Sequence, residues 1–249
     1  MAKYNPTHRN QNTDTLLWLI IGLFVFGLVI IGAGAVLLLT GPVSGSTLKN
    51  VIDGLFALNS VQVMWYITRA AGLIAYLLLW LSTAWGLAVS SKILDHFLQR
   101  TFTFDFHQFI SLLAIAFTIL HIGVLVLDRF QPFSIGQILV PFIAPYRPAW
   151  VGLGVISFYV ILLVTVTFYL RKRIGMKAFR VIHVLSLLGY LGVTAHGYFA
   201  GTDTPLLATQ LMYSGTFLIT VFLTSYWLIM LLFNKFWPKS SQLESSPQH

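Results

Sequence analysis

The chain has 249 residues, 57% of them hydrophobic and only 9% charged, whereas soluble domains carry about 25% charged residues; the composition places it in the membrane class. Its net charge of +8 falls in short segments between apolar runs, where it reads as a topology signal and not as a surface for nucleic acid. The absence of cysteine excludes disulfides, thiolate-held zinc, iron–sulfur clusters and covalent c-type haem attachment.

Six stretches reach the roughly 20 residues that cross a bilayer, and backbone groups in lipid must bond within their own segment, so each is predicted to be a helix. A tail, residues 1–15, precedes the first span at 16–40. That run is too long for the apolar region of a signal peptide, and no small-residue cleavage motif follows it, so it is expected to stay as a spanning helix. Residues 41–65 open on Gly41, Pro42, Ser44 and Gly45 and then place Val51, Leu55 and Leu58 at helical spacing, which predicts a short interfacial helix. The second span is 66–90, followed by a basic loop that carries His96. The third is 107–127; Pro132, Pro141, Pro145 and Pro148 then mark an irregular loop over 129–149. The fourth span, 150–170, and the fifth, 179–199, are joined by a tight basic turn, and the sixth is 208–233. The Ser- and Gln-rich tail, 238–249, is expected to be disordered. The fold class is all-α: a polytopic bundle of six transmembrane helices within residues 16–237.

Lysine and arginine set the orientation. One side receives Lys3, Arg9, Lys92, Arg100, Arg171, Lys172, Arg173, Lys177, Arg180, Lys235 and Lys239; the other receives Lys49, Arg69, Arg129 and Arg147. The excess places both termini in the cytoplasm.

Four of the seven histidines lie in spanning segments. An imidazole in lipid without a partner is costly, and a haem iron offers its nitrogen a strong one. His107 and His121 are fourteen positions apart in the third span; His183 and His196 are thirteen apart in the fifth. Those intervals rise about 20 Å along a helix, a spacing suited to two haems stacked across a core of about 30 Å. Both spans run outward, so depth pairs His107 with His183 at the inner level and His121 with His196 at the outer. Zinc is disfavoured, because ligands some 20 Å apart along the axis do not converge on one ion. Fourteen residues return to within about 40° of the starting face, but thirteen leave about 140°, so a bend or a π-bulge is expected between His183 and His196. His8, His96 and His249 are read as solvated residues. A proton relay through the same histidines is the rival reading, weakened by the scarcity of intramembrane carboxylates.

With these histidines in this order, and with RAAGLIAYLLLWLS from Arg69, YRPAWVGLGV from Tyr146 and HGYFAGTDT from His196, the chain resembles the ferric reductase-like transmembrane domain family, which includes ferric reductases and NADPH oxidases. The resemblance runs from about Arg69 to Asp203. It implies a six-helix haem-binding core, here about 66–233, and two haem b groups held by His107, His121, His183 and His196. It also implies electron flow from a cytoplasmic or quinol donor to an outer acceptor, such as a ferric chelate, oxygen or a partner protein. The reductases of that family continue into a flavin- and nicotinamide-binding domain; this sequence has no GxGxxG unit, so no FAD or NAD(P) site is expected in it. Electrons would come from a separate flavoprotein reductase, quinol or another redox subunit. An accessory haem-binding subunit of a larger redox complex is the alternative. The membrane is expected to be the bacterial cytoplasmic one.

Haem propionates prefer the bidentate fork of arginine, which makes Arg69 and Arg147 candidates at the outer level and Arg180, with Arg100 behind it, at the inner. Asp203 and Asp128 read either as polar groups near the outer site or as loop caps. Phe106, Phe109, Phe117, Tyr190, Tyr198 and Phe199 are candidates for packing on a flat ligand, and Gly123, Gly189, Gly192 and Gly197 for its close approach or for helix contact.

Overall fold

The computed structural model describes residues 62–96 and 98–236. The first span, the amphipathic segment before residue 62, the tail from residue 238, and His8 and His249 lie outside the described residues, as does the side chain of His96. Every regular element among the described residues is helical: α1 (Val63–Ser90), a 3-10 turn (Ile93–His96), α2 (Arg100–Leu127), the short α3 (Ile135–Leu139), α4 (Pro148–Ile174), α5 (Met176–Ala200) and α6 (Leu207–Phe236). Five of these, α1, α2, α4, α5 and α6, are long and apolar enough to cross a bilayer, and the protein is an integral, multi-pass membrane protein.

The helices overrun the apolar stretches that announce them. Hydropathy marks only the part in hydrocarbon, whereas backbone hydrogen bonding continues among wetted side chains beyond it. α2 shows this most clearly. It begins at Arg100, and Thr103 Oγ1 donates to the Arg100 carbonyl at 2.7 Å. His107 therefore sits two turns inside α2 and not at its start, as deep as His183 sits in α5.

Successive long helices run antiparallel. The 3-10 turn and the α4–α5 junction lie at one end, with Arg100, Arg171, Lys172, Arg173, Lys177 and Arg180; this is the basic end. Gly175 alone joins α4 to α5, at φ +86°, a conformation open to a residue without a β-carbon. The cations of the last turn of α4 suit the negative end of its dipole. At the other, proline-rich end, the loop after α2 is more regular than its prolines suggest. Ser134 and Gln137 form a reciprocal capping box that starts α3, while Phe133, Ile138 and Ala144 bury one face of the loop.

α1 packs along α2, α4 packs along α5, and α1 and α5 meet each other and α6. α2 and α5 are not among the closely packed pairs. Where α1, α5 and α6 meet, Tyr76, Tyr190 and Tyr213 form the most buried cluster. Thr216 gives its proton to the Met212 carbonyl and so accepts from the Tyr76 hydroxyl, which keeps these polar groups paired away from water.

Candidate functional site

The four membrane histidines meet as two pairs, and each pair bridges α2 and α5. The rings of His107 and His183 have centroids 6.1 Å apart and planes at 77°; those of His121 and His196 are 6.4 Å apart at 75°. This is the pairing expected from depth. A single metal ion between two imidazoles, at about 2.0–2.1 Å from one nitrogen of each, sets their centroids about 6 Å apart. Among the described residues no three His, Asp or Glu side chains gather at one point, so a metal at either pair would take only two ligands from the protein.

The expected break in α5 is not there: residues 176–200 form an uninterrupted α-helix. Positions about 140° apart lie about 70° to either side of a central line, so two flexible side chains can both reach toward α2 from opposite flanks of a regular helix. A shared face was an unnecessary condition.

Three of the imidazoles are tethered at Nδ1. His121 Nδ1 donates to the Thr68 carbonyl of α1 at 2.7 Å, and Thr68 Oγ1 donates back to the His121 carbonyl at 2.7 Å. His196 Nδ1 donates to the Trp150 carbonyl in the first turn of α4 at 2.9 Å. His107 has a hydroxyl partner. Ser111 Oγ donates to the His107 carbonyl at 2.7 Å, Ser82 Oγ therefore donates to Ser111 Oγ at 2.6 Å, and Ser82 Oγ is left to accept from His107 Nδ1 at 3.4 Å. An Nδ1–H committed in this way leaves Nε2 as the unprotonated nitrogen, the form that binds a metal. None of these Nε2 atoms has a hydrogen-bond partner among the described residues.

A glycine four residues beyond each holder makes the approach possible. A β-carbon on Gly72 would lie 2.9 Å from His121 Nδ1, one on Gly86 3.1 Å from His107 Cε1, and one on Gly154 2.6 Å from His196 Nδ1. Thr68 and Gly72, Ser82 and Gly86, Trp150 and Gly154 thus repeat one device: position i holds the ring and position i+4 leaves room for it. His183 stands apart. Its Nδ1 is buried with no hydrogen-bond partner, and its ring leans on Phe179 at 5.2 Å.

Around the pair of His121 and His196 the helices leave a largely apolar cavity of about 210 Å³. Leu73, Ile115, Ile122, Val155 and Phe158 contribute apolar walls, and Arg69 and Asp203 line it at the proline-rich end. Arg69 forms a two-pronged ion pair with Asp203, Nε to Oδ2 at 2.8 Å and Nη2 to Oδ1. Arg147 donates to the Phe199 carbonyl, and Tyr146 to the Ala200 carbonyl at 3.0 Å, so both secure the end of α5. Arg180 is exposed and has no hydrogen bond or ion pair to a described residue, and Arg100 pairs with Asp95 at 3.2 Å. Asp128 is buried and accepts from the Phe130 and Gln131 amides, a loop cap. Phe106 packs on Trp85 and Phe199 stacks on Trp150. Gly189 and Gly192 receive Ile161 and Ser157 of α4, Gly197 receives Tyr213, and Gly123 faces open space. Gly189 and Gly192 serve helix contact, while Gly197 also lines the cavity.

Sequence reasoning missed Thr68, Gly72, Ser82, Gly86, Ser111, Trp150 and Gly154. One signal was available: Gly72 and Gly86 are fourteen apart, the same interval as His107 and His121. No protein-family model matches the chain, and no curated protein or solved structure matches it either.

Proposed function

We propose that this protein is a di-haem b-type transmembrane cytochrome that passes electrons across the bilayer. The observation that carries the proposal is the double pairing of imidazoles, with three of the four held so that Nε2 is left free. Two protein ligands per site and a largely apolar gap suit a tetrapyrrole, which brings four equatorial nitrogens of its own. His107 and His183 would hold one haem, His121 and His196 the other; each haem, when bound, supplies a one-electron iron couple. With two histidines to hold each haem, the site would favour outer-sphere electron transfer over binding of substrate at the metal.

The protein residues do the rest. Thr68, Ser82 and Trp150 fix ring orientation, and a hydrogen bond at Nδ1 makes the imidazole a stronger donor. The apolar wall keeps water from the outer site, and Arg69 can turn toward an anionic substituent there. The basic end faces the cytoplasm in this reading, six spans cross a bacterial cytoplasmic membrane, and a flavoprotein or quinol donates. The ferric reductase-like family remains the relationship that the histidine order favours. Outward flow would be aided by an inside-negative potential, about 2.3 kcal/mol per charge per 100 mV.

A reduced-minus-oxidised absorption spectrum of the purified protein tests the reading. Two b-type haems per chain, re-reduced by a quinol or by a flavoprotein reductase, are expected. A colourless protein from iron-replete cells would refute it.

A further inference from the structure

The segment between α2 and α4 folds back against the bundle, and two contacts measure how far it reaches along α4. Tyr159 Oη donates to the Leu139 carbonyl at 2.6 Å. A β-carbon on Gly152 would lie 2.6 Å from the Phe142 amide nitrogen, so backbone rests directly on the helix there. At 1.5 Å per residue, Gly152 and Tyr159 stand about 6 and 16 Å along α4 from Pro148. A tyrosine side chain leans toward the start of its helix, which still leaves Leu139 about 10 Å inside the end of α4. The other flank agrees: the cluster of Phe133, Ile138 and Ala144 packs against Ile122 and Leu125, and Ile122 lies about 7 Å before the end of α2. α2 and α4 are not closely packed against each other, and the segment lies between them.

The residues suit that depth. Residues 130–146 carry no charge, and Arg129 and Arg147 bracket them. Phe133, Gln137 and Ile138 line the cavity beside His121 and His196. Ile135, Leu139, Val140, Phe142 and Ile143 are instead 48–64% exposed. Ile156 and Leu163, one turn to either side of Tyr159, are exposed as well, so this apolar surface continues that of a spanning helix. Backbone polar groups in hydrocarbon need partners. Pro132, Pro141 and Pro145 bring no N–H, the amides of Ser134 and Gln137 are held in the capping box, and the Leu139 carbonyl has the Tyr159 hydroxyl.

We propose that residues 130–146 form a re-entrant segment, one that dips into the bilayer and leaves on the side it entered, with lipid acyl chains as the partner of its exposed apolar face. The cavity beside His121 and His196 is then walled from the lipid on this flank by a short segment and not by a spanning helix. The proposal stands whether or not a cofactor fills the cavity.

The chain has no cysteine, so a single introduced cysteine carries one nitroxide label at a chosen place. Ile135→Cys, Leu139→Cys and Ile143→Cys replace exposed side chains, which spares the packing of the fold. In liposomes of the full chain they are compared with Leu163→Cys on α4 and with Lys172→Cys at the basic end, both exposed. Power saturation is read with oxygen, which concentrates in hydrocarbon, and with a water-soluble nickel chelate. The three segment labels should follow Leu163→Cys, relaxed by oxygen and shielded from nickel, and Leu139→Cys should read deeper than Ile143→Cys. Labels that follow Lys172→Cys would put the segment in water, and labels shielded from both reagents would put it under protein; either result overturns the proposal. Equal depths at Leu139→Cys and Ile143→Cys would describe a segment lying flat on the surface and would overturn it too.

Discussion

Replacing Gly154 by alanine probes the closest approach in the site. The new β-carbon would lie 2.6 Å from His196 Nδ1 and 2.8 Å from its Cγ. Ordinary contact begins at about 3.4–3.5 Å, so the ring must retreat by about 0.8 Å. It cannot do so and keep its 2.9 Å bond to the Trp150 carbonyl. Overpacking costs about 1–3 kcal/mol and the lost hydrogen bond about 1, against about 1 regained from alanine's helix propensity. The net expectation is a destabilisation of about 1–3 kcal/mol together with loss or loosening of the haem between His121 and His196. Gly86→Ala is the internal control. There only His107 Cε1, at 3.1 Å, comes closer than ordinary contact, by a few tenths of an ångström, so strain and propensity nearly cancel. Thermal unfolding in detergent and haem content per chain read both variants. If Gly86→Ala proves as damaging as Gly154→Ala, or if Gly154→Ala keeps full haem content and parent stability, the close-approach reasoning is refuted.

Three further outcomes follow from the hydrogen bonds. Thr68→Val removes the hydroxyl that serves the His121 carbonyl but leaves the Thr68 carbonyl on Nδ1; a loss of about 1–2 kcal/mol in thermal stability with both haems retained is expected. Ser82→Ala removes the hydroxyl that accepts from His107 Nδ1 but leaves the Ser82 carbonyl beside the ring, so a redox titration should show the potential of that haem rise by no more than about 20–40 mV. Asp203→Asn frees Arg69, whose uncompensated positive charge at the cavity should raise the potential of the haem between His121 and His196 and leave the other unmoved. An equal shift of both haems would contradict that placement.

The pairing of histidines was legible because depth in a membrane is a one-dimensional property: a rise of 1.5 Å per residue and the direction of each span are enough to match His107 with His183 and His121 with His196. Azimuth was not. The face on which His183 and His196 project depends on how α5 is flanked by α2 and α4, so the helical-wheel argument called for a bulge that α5 does not contain. The tethers were hidden for a different reason. Two are backbone carbonyls, of Thr68 and Trp150, and a carbonyl leaves no mark on a sequence. The glycines beside them did leave one, in the matched interval of Gly72 and Gly86, which becomes readable once α1 and α2 are known to be antiparallel neighbours. Arg69 lines the cavity beside His121 and His196, but its partner Asp203 lies 134 residues away, beyond any local pattern. The helix ends were blurred because polar turns such as Arg100–Phe106 continue a helix without hydropathy to announce it.

Haem content of the four single variants, measured by pyridine haemochrome against protein mass, reaches the central claim most directly. His107→Ala and His183→Ala should each fall from two haems to one and leave the same residual spectrum; His121→Ala and His196→Ala should leave the other. Four variants that keep both haems, or losses that group the histidines by helix instead of by level, would contradict it.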